Sequence, residues 1–180
     1  MGYRHTRTDL LDAAVAVALR DGVAALTYAS VGKQAATSDR TVVYYFPHKA
    51  DLIVAVMSSL GATLQELLGE AFGDEPLPPE ALLRRAWPTL ATPAADPVFA
   101  VFFQAIGLAT AGARPYAELA GPLLEGWIDW LAPRIDAGSA AARRRAAAAI
   151  VAQLDGLLLV RSMAGATTAN AAARELGVLG

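Results

Sequence analysis

The chain has 180 residues, room for one domain or two small ones around a substantial core. Hydrophobic residues make up 55% and charged residues 18%, against roughly 45–50% and 25% in ordinary soluble domains, which excludes disorder and predicts extensive burial, partner surfaces included. The formal charge of −2 divides unevenly, +2 over residues 1–50 and −4 over the rest, a mildly positive head on a negative body.

Apolar spacing predicts an all-α chain, for period-2 alternation and β-branched clusters are missing. The first helix spans about Thr8 to Asp21, with Leu10, Leu11, Ala14, Val15 and Ala18 as its stripe and Gly22 where a C-terminal cap belongs. Thr27 caps a short second helix, Tyr28 to about Ala35. The turn Ala36-Thr37-Ser38 follows, and Ser38 caps a third helix through Tyr45, so the pair reads as helix-turn-helix. Pro47 interrupts. A long helix then begins near His48, with Asp51 in its first turn, and runs to about Phe72 on Leu52, Val56, Leu60, Leu64 and Leu67. The segment GDEPLPPE, residues 73–80, is linker-like. Beyond it, helices are predicted near 79–92, 96–113, 115–135, 139–164 and 167–177, with Gly165 as a break and Pro122 kinking or splitting the third of them. The total is about nine helices.

Several functions are excluded by residue type. With no cysteine there is no disulfide framework, thiolate nucleophile or thiolate metal site, which suits a cytoplasmic protein. His5 and His48 are too few for a metal cage, and no cofactor is expected. The longest relevant uncharged run, Pro97 to Ala113, is 17 residues long, opens on proline and contains Gln104, Gly107, Thr110 and Gly112; it reads as a buried core helix rather than a membrane span. The beginning, MGYRHTRTDLLDAAV, is interrupted by Asp9 and Asp12 and lacks the apolar core of an export signal. Enzymatic signatures such as G-x-S-x-G, G-x-x-x-x-G-K, G-x-G-x-x-G and H-E-x-x-H are absent. The carboxylate pairs Asp129/Asp136 and Glu118/Glu125 have the spacing of any solvated helix face. The chain is read as a non-enzyme.

The informative segment is TYASVGKQAATSDRTVVYYFPHK, residues 27–49. If the third helix enters a major groove, its first turn presents Thr37, Ser38, Asp39, Arg40 and Thr41 to base edges, while Val31, Ala35, Val42 and Phe46 face inward. Arg40 alone there can grip guanine O6 and N7 together, a contact worth roughly 1–3 kcal/mol of discrimination. Tyr44, Tyr45 and Lys49, with the amides capped at Thr27 and those opening the long helix, suit phosphates, which set register. Tyr28 and His48 complete the DNA-facing set, and Arg4, His5 and Arg7 add a basic arm. Pattern alone also allows ordinary helix packing with semi-buried tyrosines.

These residues carry a resemblance. LLDAAVAVALRDGVAALT, then VGKQAATS, then TVVYYFPHKADLIVAVM resemble the tetracycline-repressor (TetR) family of bacterial transcription regulators, the T-x-Y-Y-F-x-x-K-x-x-L type ending being its most specific mark. The resemblance implies phosphate contacts at Thr27, Tyr44 and Lys49, and base reading at Thr37 to Thr41 and Tyr45. This sequence departs from the family pattern with Ala36 for a turn glycine, Gly32 for alanine, Thr37 for valine and Val43 for a frequent tyrosine. Ala36 is tolerable if its φ stays negative, and Gly32 weakens its helix by about 1 kcal/mol relative to alanine.

From about residue 60 the resemblance is general. It implies a helix-turn-helix head over 1–47, and over 48–180 an effector-binding and dimerisation domain that pairs through the last two long helices. For the homodimer contact the helix from Ala142 offers Ala146, Ala149, Gln153 and Gly156 as small or adaptable positions, with Ile150, Leu154, Leu157 and Leu158 supplying apolar area. Arg143, Arg144 and Arg145 read as a solvated face. Met57, Leu60, Trp87, Phe99, Phe102, Phe103, Ile106, Trp127 and Trp130 are candidate walls of an effector cavity, with Gln104, Asp129, Asp155 and Arg161 as polar groups to orient an apolar or aromatic ligand. By resemblance the chain is a repressor released from a palindromic operator in double-stranded DNA by a small molecule. The rival expectation is an all-helical homodimer that binds small molecules without regulating DNA.

Overall fold

The computed structural model describes residues 5–180. Arg4, assigned above to a basic arm, lies outside the described residues. The architecture is all-α: α1 (Arg7–Asp21), α2 (Tyr28–Gln34), α3 (Asp39–Tyr45), α4 (Lys49–Phe72), α5 (Pro79–Leu90), α6 (Asp96–Thr110), α7 (Tyr116–Leu131) and α8 (Ala140–Glu175), with 3₁₀ turns at Val23–Ala25 and Ala132–Arg134. No strand occurs among the described residues, only an isolated bridge between Leu77 and Ile135. Packing divides the chain into two compact units, one of residues up to Ala62 with Ala100–Leu119, the other of Thr63–Phe99 with Ala120–Gly180.

The first unit is built on capped short helices. Thr6 and Asp9 form a reciprocal capping box at the start of α1, Thr27 and Ser30 do the same for α2, and the Ser38 hydroxyl accepts from the Thr41 amide at α3. Leu10, Ala13, Ala14, Val17 and Ala18 are the buried face of α1. The predicted stripe was one position out of phase: Leu11 and Val15 are only half-buried, because α1 turns toward α2, against which it packs. Gly22 ends α1 at φ 86, as its sequence position implies. The next amide, Val23, donates to Gln104 Oε1 at 3.0 Å, and the buried Tyr116 hydroxyl donates to the Val23 carbonyl at 3.4 Å.

The α2–α3 turn overturns two expectations. Ala36 sits at φ 52, the left-handed region, where a Cβ costs about 1–2 kcal/mol. Gly32 is buried, and a Cβ there would lie 3.0 Å from the Thr37 carbonyl oxygen and 3.1 Å from the Asp39 amide, so an alanine would push the turn outward by a few tenths of an ångström. Val31, Val42 and Phe46 are fully buried beneath the turn, as expected, while Ala35 is half-buried.

In the second unit Leu64, Leu68 and Phe72 carry the buried side of α4, and Leu67, placed in that stripe by period alone, is 45% exposed. Arg85 Nη1 donates to the Phe72 carbonyl at 2.7 Å and closes the C-terminal end of α4. The 73–80 segment is pinned where the Leu77 amide donates to the Arg134 carbonyl and the Asp136 amide donates to the Leu77 carbonyl, both at 2.9 Å. Pro122 does not split its helix: α7 runs through it, and both Pro122 and Glu118, whose carbonyl loses a donor, are exposed to water. In α8 the backbone leaves helical geometry at Gly165 (φ 83, ψ 169), the break the sequence signalled.

Ala36→Gly should stabilise the protein by about 0.5–1 kcal/mol by relieving the left-handed alanine. Gly32→Ala should destabilise it by about 1 kcal/mol despite the better helix propensity, since the crowded atoms are backbone. Urea midpoints at constant m-value check both, and a stabilised Gly32→Ala variant would refute the close approach.

Candidate nucleic-acid interface

The site is assembled on α3 and the residues bracketing it. Arg40 and Asp39 are exposed on the first turn, and the Arg40 guanidinium has no partner among the described residues, so it stands free for a ligand. Tyr44, one turn further on, is 77% exposed, and its ring meets Tyr45 edge-on with centroids 5.0 Å apart. Tyr45 is placed differently from the sequence reading. Its ring is half-buried and its hydroxyl donates to the His5 carbonyl at 2.9 Å, which makes it a tie for the start of the chain rather than a base reader. Arg7 also serves that end, with its guanidinium 4.7 Å from the Phe46 ring centroid.

Thr27 is exposed but its hydroxyl is engaged with Ser30, so its amide-capping role comes first. Tyr28 is half-buried, and burial, reinforced by the nearby Asp51 charge, pushes its phenol above the ordinary range; it remains a proton donor at neutral pH, as a phosphate contact requires. Ser38 is exposed, Thr37 and Thr41 are half-buried, and His48 and Lys49 are exposed at the head of α4. One member of the exposed surface was missed by the sequence reading. Val43, 40% exposed, shares the outer face of α3, and the period-3.6 spacing from Asp39 and Arg40 was the available signal.

Residues 10–56 match the family model described as bacterial regulatory proteins, tetR family. The match covers 47 of the 180 residues, and over that helix-turn-helix region the chain is similar to TetR-family regulators. Solved structures share the fold. A transcriptional regulator from Rhodococcus sp. Rha1 is 24% identical, with a TM-score of 0.69 over 91% of this chain and 87% of that one. A TetR transcriptional regulator from Legionella pneumophila is 19% identical, with a TM-score of 0.66 over 98% and 97%. The multidrug binding protein EbrR, complexed with imidazole, is 24% identical, with a TM-score of 0.65 over 87% and 79%. No curated protein sequence matches the chain. These likenesses show the all-α fold, and the family match falls on the helix-turn-helix region.

The candidate effector residues fall into two groups. Met57 and Leu60 are buried, Phe102 and Phe103 half-buried and Ile106 exposed in the first unit. In the second, Phe99 is buried and Trp87 is almost fully so, its indole N–H donating to Asn170 Oδ1 at 3.1 Å, which marks Trp87 as core. Trp127 and Trp130 are half-buried with ring centroids 5.7 Å apart; Trp130 also lies 6.1 Å from the Phe72 ring and 3.9 Å beneath the Arg134 guanidinium. Three of the four polar candidates are already engaged. Gln104 holds the Val23 amide, Asp129 pairs with Arg144, and Arg161 forms a two-pronged ion pair with Asp96 at 2.6 and 2.9 Å. Asp155 has no such partner among the described residues.

The candidate dimer residues divide by face. Ile150, Leu154 and Leu157 are buried within their own unit, so their apolar area is not available to a partner, whereas Ala149 and Gln153 are exposed and Ala146 is half-buried. Of the three consecutive arginines, Arg145 is exposed, Arg143 reaches the Ala137 carbonyl, and Arg144 bridges Glu125 and Asp129.

Burial pushes the Asp155 carboxyl up to about 6 from 3.8. The folded chain therefore holds this proton more tightly than the unfolded chain does. The resulting stabilisation is complete below the unfolded value and is lost as pH rises through about 6. Asp155→Asn should be more stable than the parent by about 1 kcal/mol near pH 7.5, a figure discounted for partial solvent access, and equal to it near pH 3.5. Denaturation at the two pH values measures this, and a pH-independent difference would contradict it.

Proposed function

We propose that this chain is a TetR-family transcriptional regulator, a homodimeric repressor released from a palindromic operator by a small apolar or aromatic effector. Residues 1–47 read the DNA and 48–180 carry effector binding and dimerisation. The observation that carries the reading is the outer face of α3: an exposed Arg40 with no side-chain partner among the described residues and a largely exposed Tyr44, on a helix whose opposite side is anchored by fully buried Val42. Such a helix is a probe with a fixed base. Exposed Lys49 at the head of α4 supplies a phosphate contact beside it. The protein acts where the chromosome is, in the cytoplasm, and without chemical turnover.

The exposed side of α8 is the natural surface for a second copy. Arg145, Ala149, Ala152, Gly156, Leu159 and Met163 recur at alternating steps of four and three and are all exposed, with Met163 at 80%. Small residues at the centre of that stripe allow close approach of a symmetry-related helix, and Leu159 and Met163 supply apolar area. Ala149 and Gly156 of the sequence-based set lie on this stripe, with exposed Gln153 beside it. For the effector, the Trp127, Trp130 and Phe72 rings form an aromatic wall, and the complex of EbrR with imidazole supports a family fold that accepts small aromatic molecules. Operator and effector then bind different arrangements of one dimer, and each weakens the other by the same factor. The helix α4, uninterrupted from Lys49 to Phe72, is the proposed link between effector binding and the recognition helices, which must lie about 34–36 Å apart or a multiple of it to engage a palindrome.

Sites selected from random duplex DNA test the assignment. Arg40→Ala should relax preference at one operator position, a loss of roughly 1–3 kcal/mol there, whereas Lys49→Ala should weaken matched and scrambled DNA alike and flatten the salt dependence. Equal effects of both variants on both DNAs would refute the division of roles. Met163→Glu, on an exposed position, should leave helicity unchanged and shift sedimentation from dimer to monomer; an unaltered dimer would place the interface elsewhere.

A further inference from the structure

The face that α3 offers is narrower than its polar sequence implies. Thr37 Oγ1 donates to Thr41 Oγ1 at 3.2 Å, Ser38 Oγ lies 3.0 Å from the same oxygen, and the Thr41 amide donates to Ser38 Oγ at 3.2 Å. Three hydroxyls are thus engaged in closing the turn. Val42 is buried, and the Tyr45 hydroxyl is held by His5. The exposed positions left on the helix are Asp39, Arg40, Val43 and Tyr44. At 3.6 residues per turn their order around the axis is Asp39, Val43, Arg40, Tyr44, so Val43 stands between the carboxylate and the guanidinium. An isopropyl group, 40% exposed, therefore occupies the middle of a polar reading face.

The major groove offers one apolar complement, the C5 methyl of thymine. Building on the DNA-reading role argued above, we propose that Val43 is a specificity-determining residue that seats against a thymine methyl next to the guanine gripped by Arg40. The three-residue separation corresponds to a rise of about 4.5 Å along the helix, which places thymine and guanine one or two base-pair steps of about 3.4 Å apart. Each half-site then contains a guanine–thymine pairing of contacts within a short window, with Tyr44 at the outer edge turned to the backbone. Neither contact uses the hydroxyls of the turn.

The test takes the duplex that the wild-type protein selects and replaces each thymine singly by deoxyuridine, which removes the methyl and leaves every hydrogen-bonding group. One thymine per half-site should be sensitive, with affinity falling roughly fourfold, the worth of one buried methyl-sized group. Val43→Ala should lose that sensitivity at the same position while keeping the guanine preference set by Arg40. Because the decisive change is in the DNA, the folding of a variant does not enter the first comparison. The inference is overturned if no thymine is sensitive, or if the same thymine costs Val43→Ala as much as wild type. Failure of the wild-type protein to select any duplex would refute the DNA-reading role itself, and this inference with it.

Discussion

The close approach of the α2–α3 turn to Gly32 is the constraint on which the DNA-facing surface depends. The Thr37 amide donates to the Gly32 carbonyl at 2.8 Å, and nothing larger than hydrogen fits between that helix and the turn without displacing backbone. Both α2 and α3 have seven residues, far too short to hold helical structure alone. Their geometry comes from three sources acting together: the capping hydroxyls of Thr27 and Ser38, the closed turn, and the burial of Val31, Val42 and Phe46. The left-handed Ala36 is a strain that this packing overcomes, and it fixes the direction in which α3 leaves the turn.

A consequence is that structure and recognition compete for the same polar groups. Of the residues from Thr27 to Lys49 that suggest DNA contact by type, several are committed to holding the head together: Thr27 to Ser30, Thr41 to Ser38 and Thr37, Tyr45 to His5. A hydroxyl whose partners are all within the protein is a poor reader of bases, because contacting DNA would require breaking an internal bond of comparable strength. What the fold does not need is what remains for the duplex, and that remainder includes an apolar side chain. Recognition on this helix is therefore defined by exclusion as much as by chemical type.

Helix ends were the most legible part of the sequence, because a cap is a local event. Thr27, Ser38, Gly22 and Gly165 all mark boundaries where their side chains or their lack of one predict them. Phase was less legible. A period of 3.6 places an apolar stripe to within one position, and only the partner decides between Leu67 and Leu68 as the residue that turns inward. Contacts between residues distant in sequence were invisible: the Gln104–Val23 bond spans 81 positions, Trp87–Asn170 spans 83 and Arg161–Asp96 spans 65. These three withdraw a glutamine, a tryptophan and an arginine from the set that residue type offered to an effector. In the candidate site, Arg40 and Tyr44 were legible by chemistry, while Val43 was passed over because attention to hydrogen bonding discounts a valine.

The last helix poses the sharpest conflict between composition and environment. Both α4 and α8 are long and apolar enough to cross a membrane by length and composition alone, yet only 28% of the most apolar stretch of α8 is buried in the chain itself. Lipid would demand an apolar surface on every side and an unbroken backbone ladder. α8 instead carries Arg161 in an ion pair with Asp96, a carboxylate at Asp155, an exposed Gln153 and a non-helical glycine at 165. Its outward apolar residues form a stripe, not a sleeve, and a stripe of alternating three- and four-residue steps is complementary to one other helix of the same kind. In the homodimer proposed above, a second copy of the chain meets that demand without any new sequence feature, and a chain with 55% hydrophobic and 18% charged residues then leaves this face open for its partner.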